Sequence, residues 1–181
     1  MSTSSVRVYS PTAKALHWTV VALIVVQFAT AFLMPDIGPR TPPSTVIDLH
    51  FSFGVVILAV MAIRFVHGLL YPVPLEASAA RPWERLLAMT THRLIYLILL
   101  VSPVLGWASA SAHRLAVSLF GIVELPAIAA PRAHWALVAG DIHMLAMWAL
   151  LVLVGLHVAA ALYHHFMRNE DTLKRMLPSS L

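Results

Sequence analysis

The chain has 181 residues, 60% hydrophobic and only 11% charged, with a mean hydropathy of +0.82. A soluble domain carries about 25% charged residues, so a water-soluble globule is excluded, and the length suits a single bundle of about four membrane spans. The absence of cysteine excludes disulfides, thiolate-held iron–sulfur clusters and covalent c-type haem, and a net charge of +4 placed beside apolar runs points to anionic lipid, not nucleic acid.

Residues 1–14 are polar and carry Arg7 and Lys14. The first span is expected over residues 15–34. A charged start before an apolar run imitates a signal peptide, but about 20 apolar residues are enough to cross a bilayer, and no small-residue cleavage site follows. The helix is therefore expected to be retained. Residues 34–43 are proline-rich and cannot continue a helix. The second span is expected over 46–66, with His50 near its start, Gly54 one turn later and Arg64 at its far end. A loop holding YPVP, Arg81, Glu84 and Arg85 leads to a third span over 91–111, with His92 and Arg93 at its entrance. Pro103 should kink this span, which neighbouring membrane helices tolerate. Residues 112–139 are moderately apolar and are expected to lie against the membrane surface as a short helix or lid. The fourth span follows over 140–166, ahead of a basic tail. The fold class is thus all-α, an integral membrane four-helix bundle forming one domain over residues 1–181.

The basic residues orient the bundle. Arg7, Lys14, Arg64, Arg81, Arg85, Arg93, Arg168, Lys174 and Arg175 fall on one side, and only Arg40, Arg114 and Arg132 on the other. The positive-inside rule then puts both termini in the cytoplasm. Trp18, Trp83 and Trp107 sit near the expected interfaces, as aromatic anchors do.

The fourth span carries the chemistry. His143 and His157 are fourteen residues apart, almost four turns, so both imidazoles share one face about 21 Å apart. Imidazoles within a membrane are costly unless used, although two packing histidines bonded to neighbouring helices would satisfy the same spacing. The topology sorts the histidines by depth. His17 in span 1 and His157 lie towards the cytoplasmic side, whereas His50 and His143 lie near the outer face. Two levels, each with two histidines from different helices, is the arrangement that bis-histidine ligation of two haems requires, and Gly54, Ala160 and Ala161 would leave room for a flat macrocycle. A haem-free metal transporter is the rival, since imidazole also suits zinc, copper and nickel. The division into two levels and the scarcity of carboxylates in the spans weigh against it.

On the cytoplasmic side His164 follows His157 by seven residues, about 10 Å further along the same face. A quinone undergoing reduction needs a proton donor and hydrogen bonds near an electron carrier, which His92 and His164, with Arg81 nearby, are placed to supply. His67 and His165 read as interfacial residues. His113, Arg114, Arg132 and His134 make a modestly positive outer loop that could steer a small anion or simply be solvated.

Taken in order, YSPTAKALHW before span 1, LHFSFG and MAIRF in span 2, YPVP after it, HRLIYLILLVSPVLGW in span 3, FGIVELP in the outer loop, GLHVAAALYHHF in span 4 and DTLKRMLP in the tail resemble the bacterial cytochrome b561 family over nearly the whole chain. Among that family are superoxide:ubiquinone oxidoreductases. The resemblance implies a bacterial inner-membrane bundle with two b-type haems, His17 and His157 ligating the cytoplasmic-side haem and His50 and His143 the outer one. It also implies ubiquinone near the cytoplasmic-side haem, with His92 and His164 as contacts and Arg81 as the nearest basic match to lysines found there in superoxide oxidases. The outer loop keeps the commoner family pattern. The implied function is therefore electron transfer from a periplasmic donor, either a small anion such as superoxide or a redox protein, to ubiquinone. The alternative is a cytochrome b subunit serving a periplasmic dehydrogenase or similar partner.

Overall fold

A computed structural model describes residues 9–38, 41–71, 81–170 and 173–177. Arg7, Arg40, Pro72 to Pro74 of YPVP, and Asp171, Thr172 and Pro178 of the tail motif lie outside the described residues. Four helices dominate: α1 Pro11–Leu33, α2 Thr45–Leu70, α3 Pro82–Ala112 and α4 His134–Phe166, with strands β1 Val117–Leu119 and β2 Val123–Leu125 between the last two. All four helices are long and apolar enough to cross a membrane.

Local chemistry places the helix starts outside the apolar runs. Ser10 Oγ accepts from the Ala13 amide at 3.2 Å, with Pro11 in the first turn, where its missing N–H costs nothing. Ser44 Oγ accepts from Ile47 N at 3.4 Å to open α2. At the head of α3 the Arg81 amide donates to Glu84 Oε2 at 2.9 Å. This helix begins nine residues ahead of its expected span, so His92 lies ten residues past its start and not at its entrance.

The connection expected as a short helix or lid contains a hairpin and not a helix. Residues 117–125 form an antiparallel hairpin, with Val117 opposite Leu125 and Leu119 opposite Val123. Phe120 and Gly121 both take positive φ, 52° and 70°. Glycine adopts that region freely and phenylalanine does not. The Phe120 amide donates to Ser52 Oγ at 2.8 Å, which offsets the strain, and Ser52 Oγ shares its one proton between Asp48 O at 2.7 Å and Ser118 O at 2.9 Å. A fully buried hydroxyl of α2 thus pins the hairpin over the outer end of the bundle.

Packing runs α1 on α2, α2 on α3 and α3 on α4. Among the described residues neither α1 nor α2 approaches α4 backbone to backbone within 8 Å. Val20, Ile57, Met61, Leu99 and Leu150 form an apolar plug in the middle of the bundle, contributed by all four helices. At the outer end α3 and α4 meet through small residues, Ala108, Ala112, Ala136 and Ala139, which lets two backbones come close.

Candidate functional site

The plug separates two imidazole pairs, and each pair spans a gap between α4 and a helix whose Cα atoms, among the described residues, stay more than 8 Å from it. At the outer level His50 of α2 faces His143 of α4, ring centroids 6.3 Å apart and planes at 89°. At the inner level His17 of α1 faces His157 of α4 at 6.5 Å and 68°. Two imidazoles trans on one metal, with metal–nitrogen bonds of about 2 Å on each side and half a ring beyond each bond, have centroids about 6 Å apart.

The outer pair is the better supported by its neighbours. His143 Nδ1 lies 2.8 Å from the Ser102 carbonyl and 2.8 Å from Ser102 Oγ. An Nδ1–H given to that carbonyl leaves Nε2 with its lone pair, the tautomer of a metal ligand. The imidazole can reach Ser102 because Gly106 has no side chain; a Cβ there would stand 3.1 Å from His143 Cε1 and 3.2 Å from Nδ1. His50 is buried, its Nδ1 3.4 Å from Thr30 Oγ1, while Thr30 Oγ1 donates to Gln27 O at 2.9 Å. The Gln27 amide nitrogen sits 3.2 Å from His50 Nε2 and donates to His50 O at 3.1 Å, leaving Gln27 Oε1 buried without a partner among the described residues. A cavity of about 420 Å³ opens between the rings, lined from all four helices, with His50, His143, Gly54, Gly106 and Gly140 in its wall. That volume suits a cofactor-sized ligand.

The inner pair has a third imidazole. His92 of α3 lies edge-on to His157, centroids 4.9 Å apart at 86°, and its Nδ1 stands 2.7 Å from Ala88 O. Trp18 stacks edgewise on His17 at 5.5 Å. Arg64 of α2 donates from Nε to Tyr96 Oη at 2.8 Å. The tail closes over this end. Lys14, 9% exposed, donates to Leu177 O at 2.7 Å, and Trp18 Nε1 donates to Met176 O at 2.9 Å.

The expected quinone contacts do not all converge. His92 meets His157. His164 lies two turns beyond His157 and is engaged by Glu170 Oε2 at 2.9 Å. Arg81 is exposed at the head of α3, eleven residues and about 16 Å along the axis from His92. Glu84 of the same turn pairs with Arg168 at 3.0 Å, tying α3 to the end of α4. Gly54 lines the outer cavity as expected, whereas Ala160 is exposed. Gln27, Thr30, Ser102 and Gly106 were not anticipated. Their one signal in the sequence is a polar or side-chain-less residue within an apolar span.

The donor set fits haem better than a bare ion. Zinc takes three or four protein ligands, and among the described residues no group of three or more His, Cys, Asp or Glu is arranged to hold a metal. Two opposed imidazoles are the axial complement of a metal whose remaining positions a macrocycle fills.

The family model for prokaryotic cytochrome b561 matches residues 8–179. The chain is 30% identical over 178 residues to Cytochrome b561 homolog 2 of Escherichia coli strain K12, covering 95% of this chain and 92% of that protein. It is 29% identical over 170 residues to Probable superoxide oxidase CybB of Yersinia pestis, with coverage of 94% and 96%. Cytochrome b561 homolog 1 of Escherichia coli strain K12 is 25% identical over 174 residues, with coverage of 94% and 97%.

Proposed function

The chain belongs to the prokaryotic cytochrome b561 family, and we propose that it is a two-haem relay carrying electrons from a periplasmic donor to ubiquinone. As a family member it is a membrane electron-transfer protein for which haem b is implied. The observation that carries the two-haem reading is the pair of facing imidazole sets, 6.3 and 6.5 Å between centroids, at two levels of α4.

In this reading His50 and His143 hold the outer haem, and His17 and His157 hold the inner one. Haem iron supplies one-electron transfer between its ferric and ferrous states. The protein's contribution is ligation, spacing and exclusion of water. Ser102 and Thr30 orient the outer imidazoles, and the apolar plug of Val20, Ile57, Met61, Leu99 and Leu150 keeps the path between levels dry. His50 with His143, and His17 with His157, would each hold a haem between two imidazoles, so the group would supply electron relay and not oxygen binding. Both termini face the cytoplasm, and quinone is reduced beside His92, with His164, two turns beyond His157, closer to the cytoplasm. Each quinone takes two electrons and two protons, so a one-electron donor must react twice per turnover.

Superoxide is the small-molecule donor that the name of the Yersinia pestis relative suggests. A protein donor is the second reading, favoured by the hairpin tip, where Ile122 is 82% exposed at the outer end. A reduced-minus-oxidised optical spectrum of the detergent-purified protein, with a haem-to-protein ratio, tests the relay. A b-type spectrum at two haems per chain is the expected result, and haem-free protein from haem-replete cells would sink the proposal. Superoxide that reduces the haems, and then ubiquinone, without added protein would decide for the first donor.

A further inference from the structure

On α2 His50 and Arg64 are fourteen residues apart, about four turns and 21 Å. The same interval separates His143 from His157 on α4. Ile57 and Met61, buried between His50 and Arg64, mark this stripe as the inward face of α2. At the outer level the stripe presents an imidazole; at the inner level it presents a guanidinium.

Arg64 is partly buried inside a membrane helix. Its Nε–H is committed to Tyr96 Oη at 2.8 Å, and its guanidinium carbon lies 5.5 Å from the Tyr96 ring centroid. Tyr96 is itself held against the central plug. The ion pairs among the described residues join His164, Arg168, Glu84 and Glu170, and none of them includes Arg64. Tyr96, its partner, follows His92 by four residues on α3, and the His92 ring stands 4.9 Å from that of His157, so Arg64 is held at the inner level. A guanidinium whose Nε is occupied still offers four N–H donors on its terminal nitrogens, the fork that takes a carboxylate at two points. A partly buried cation that faces the bundle from an apolar span is costly without a polar partner, and an anion is the strongest one.

We propose that Arg64, steadied by Tyr96, binds a carboxylate at the inner level, and that this carboxylate is a propionate of the inner haem. The assignment rests on the two-haem reading above. It gives α2 a role at both levels, as an iron ligand at one and as a clamp on the rim of the cofactor at the other.

The test compares apoprotein reconstituted with haem b and with haem b dimethyl ester, whose propionates carry no charge. Wild type, Arg64→Gln, Arg64→Lys and Tyr96→Phe are titrated, and inner-haem affinity and midpoint potential are read. Arg64→Gln should weaken inner-haem affinity about tenfold or more with natural haem, while changing the ester form less than about twofold; Lys should restore part of the loss. An equal loss with both haem forms would overturn the assignment, placing Arg64 on a lipid phosphate or in bundle packing, and so would no loss with either. A wild-type ratio below two haems per chain would overturn the two-haem reading and this clamp together, whereas a ratio of two with an ester-blind Arg64 effect overturns the clamp alone.

Discussion

Polar side chains inside apolar helices decide what this bundle can hold. With His157 removed, the inner pair keeps only His17, while His50 and His143 keep their cavity and their partners on α1 and α3. His157→Ala should therefore lower the haem-to-protein ratio from two to about one, leaving a single b-type component in a redox titration. Equal retention of both would refute the pairing. Gly106 gives a subtler test. Its Cβ would press to within 3.1 Å of an imidazole already anchored on Ser102, and overpacking of this kind costs about 1–3 kcal/mol. Gly106→Ala should loosen the outer haem roughly tenfold, as measured by haem release, without touching the inner midpoint. The shared face of His143 and His157 was legible in the sequence because fourteen residues along one helix is a local interval. Ser102, 41 residues from His143, was not legible. Its role exists only once α3 and α4 are laid side by side, and no local pattern encodes that register.

The helices themselves were legible as long apolar runs, since a membrane span is a matter of composition over about 20 residues. Their ends were not. Capping by Ser10, Ser44 and Glu84 extends the helices beyond the apolar windows, and residues 82–90 continue α3 with Trp83, Leu86 and Leu87 exposed while Arg168 grips it through Glu84. Residues 112–139 were expected as a short helix or lid, and the hairpin at 117–125 was not legible because it depends on a left-handed Phe120-Gly121 pair and on Ser52 beneath it. Close packing of α3 on α4 offers an element-level test. A Cβ at Gly140 would collide with Ser109 Oγ and lie 3.1 Å from its Cβ, whereas one at Gly68 would meet nothing within 4 Å. Gly140→Ala should lower the melting temperature of the purified protein by several degrees, a loss of about 1–3 kcal/mol. Gly68→Ala should leave it unchanged or raise it slightly, since alanine reduces backbone freedom in the unfolded chain. Equal effects at the two sites would show that helix propensity, and not the α3–α4 contact, governs stability here.

For the whole molecule, nine basic residues against three imply an orientation that labelling can check. The chain has no cysteine of its own, so single reporters are unambiguous. Glu124→Cys in the hairpin should react with a membrane-impermeant maleimide on intact spheroplasts. Asn169→Cys, just past α4, should react only after the membrane is opened. The reverse pattern would invert the relay and move the quinone site to the periplasmic leaflet.

Both imidazole pairs draw one member from α4, the helix furthest along the chain. On the proposed ligation, a nascent chain with three helices already in the bilayer carries half of each site and can close neither. Haem capture then waits until translation has passed residue 157, and the two cofactors become available within one insertion event. A chain stalled or clipped before that helix would enter the membrane colourless. In a cell, the red colour of this protein would mark completed synthesis as much as haem supply.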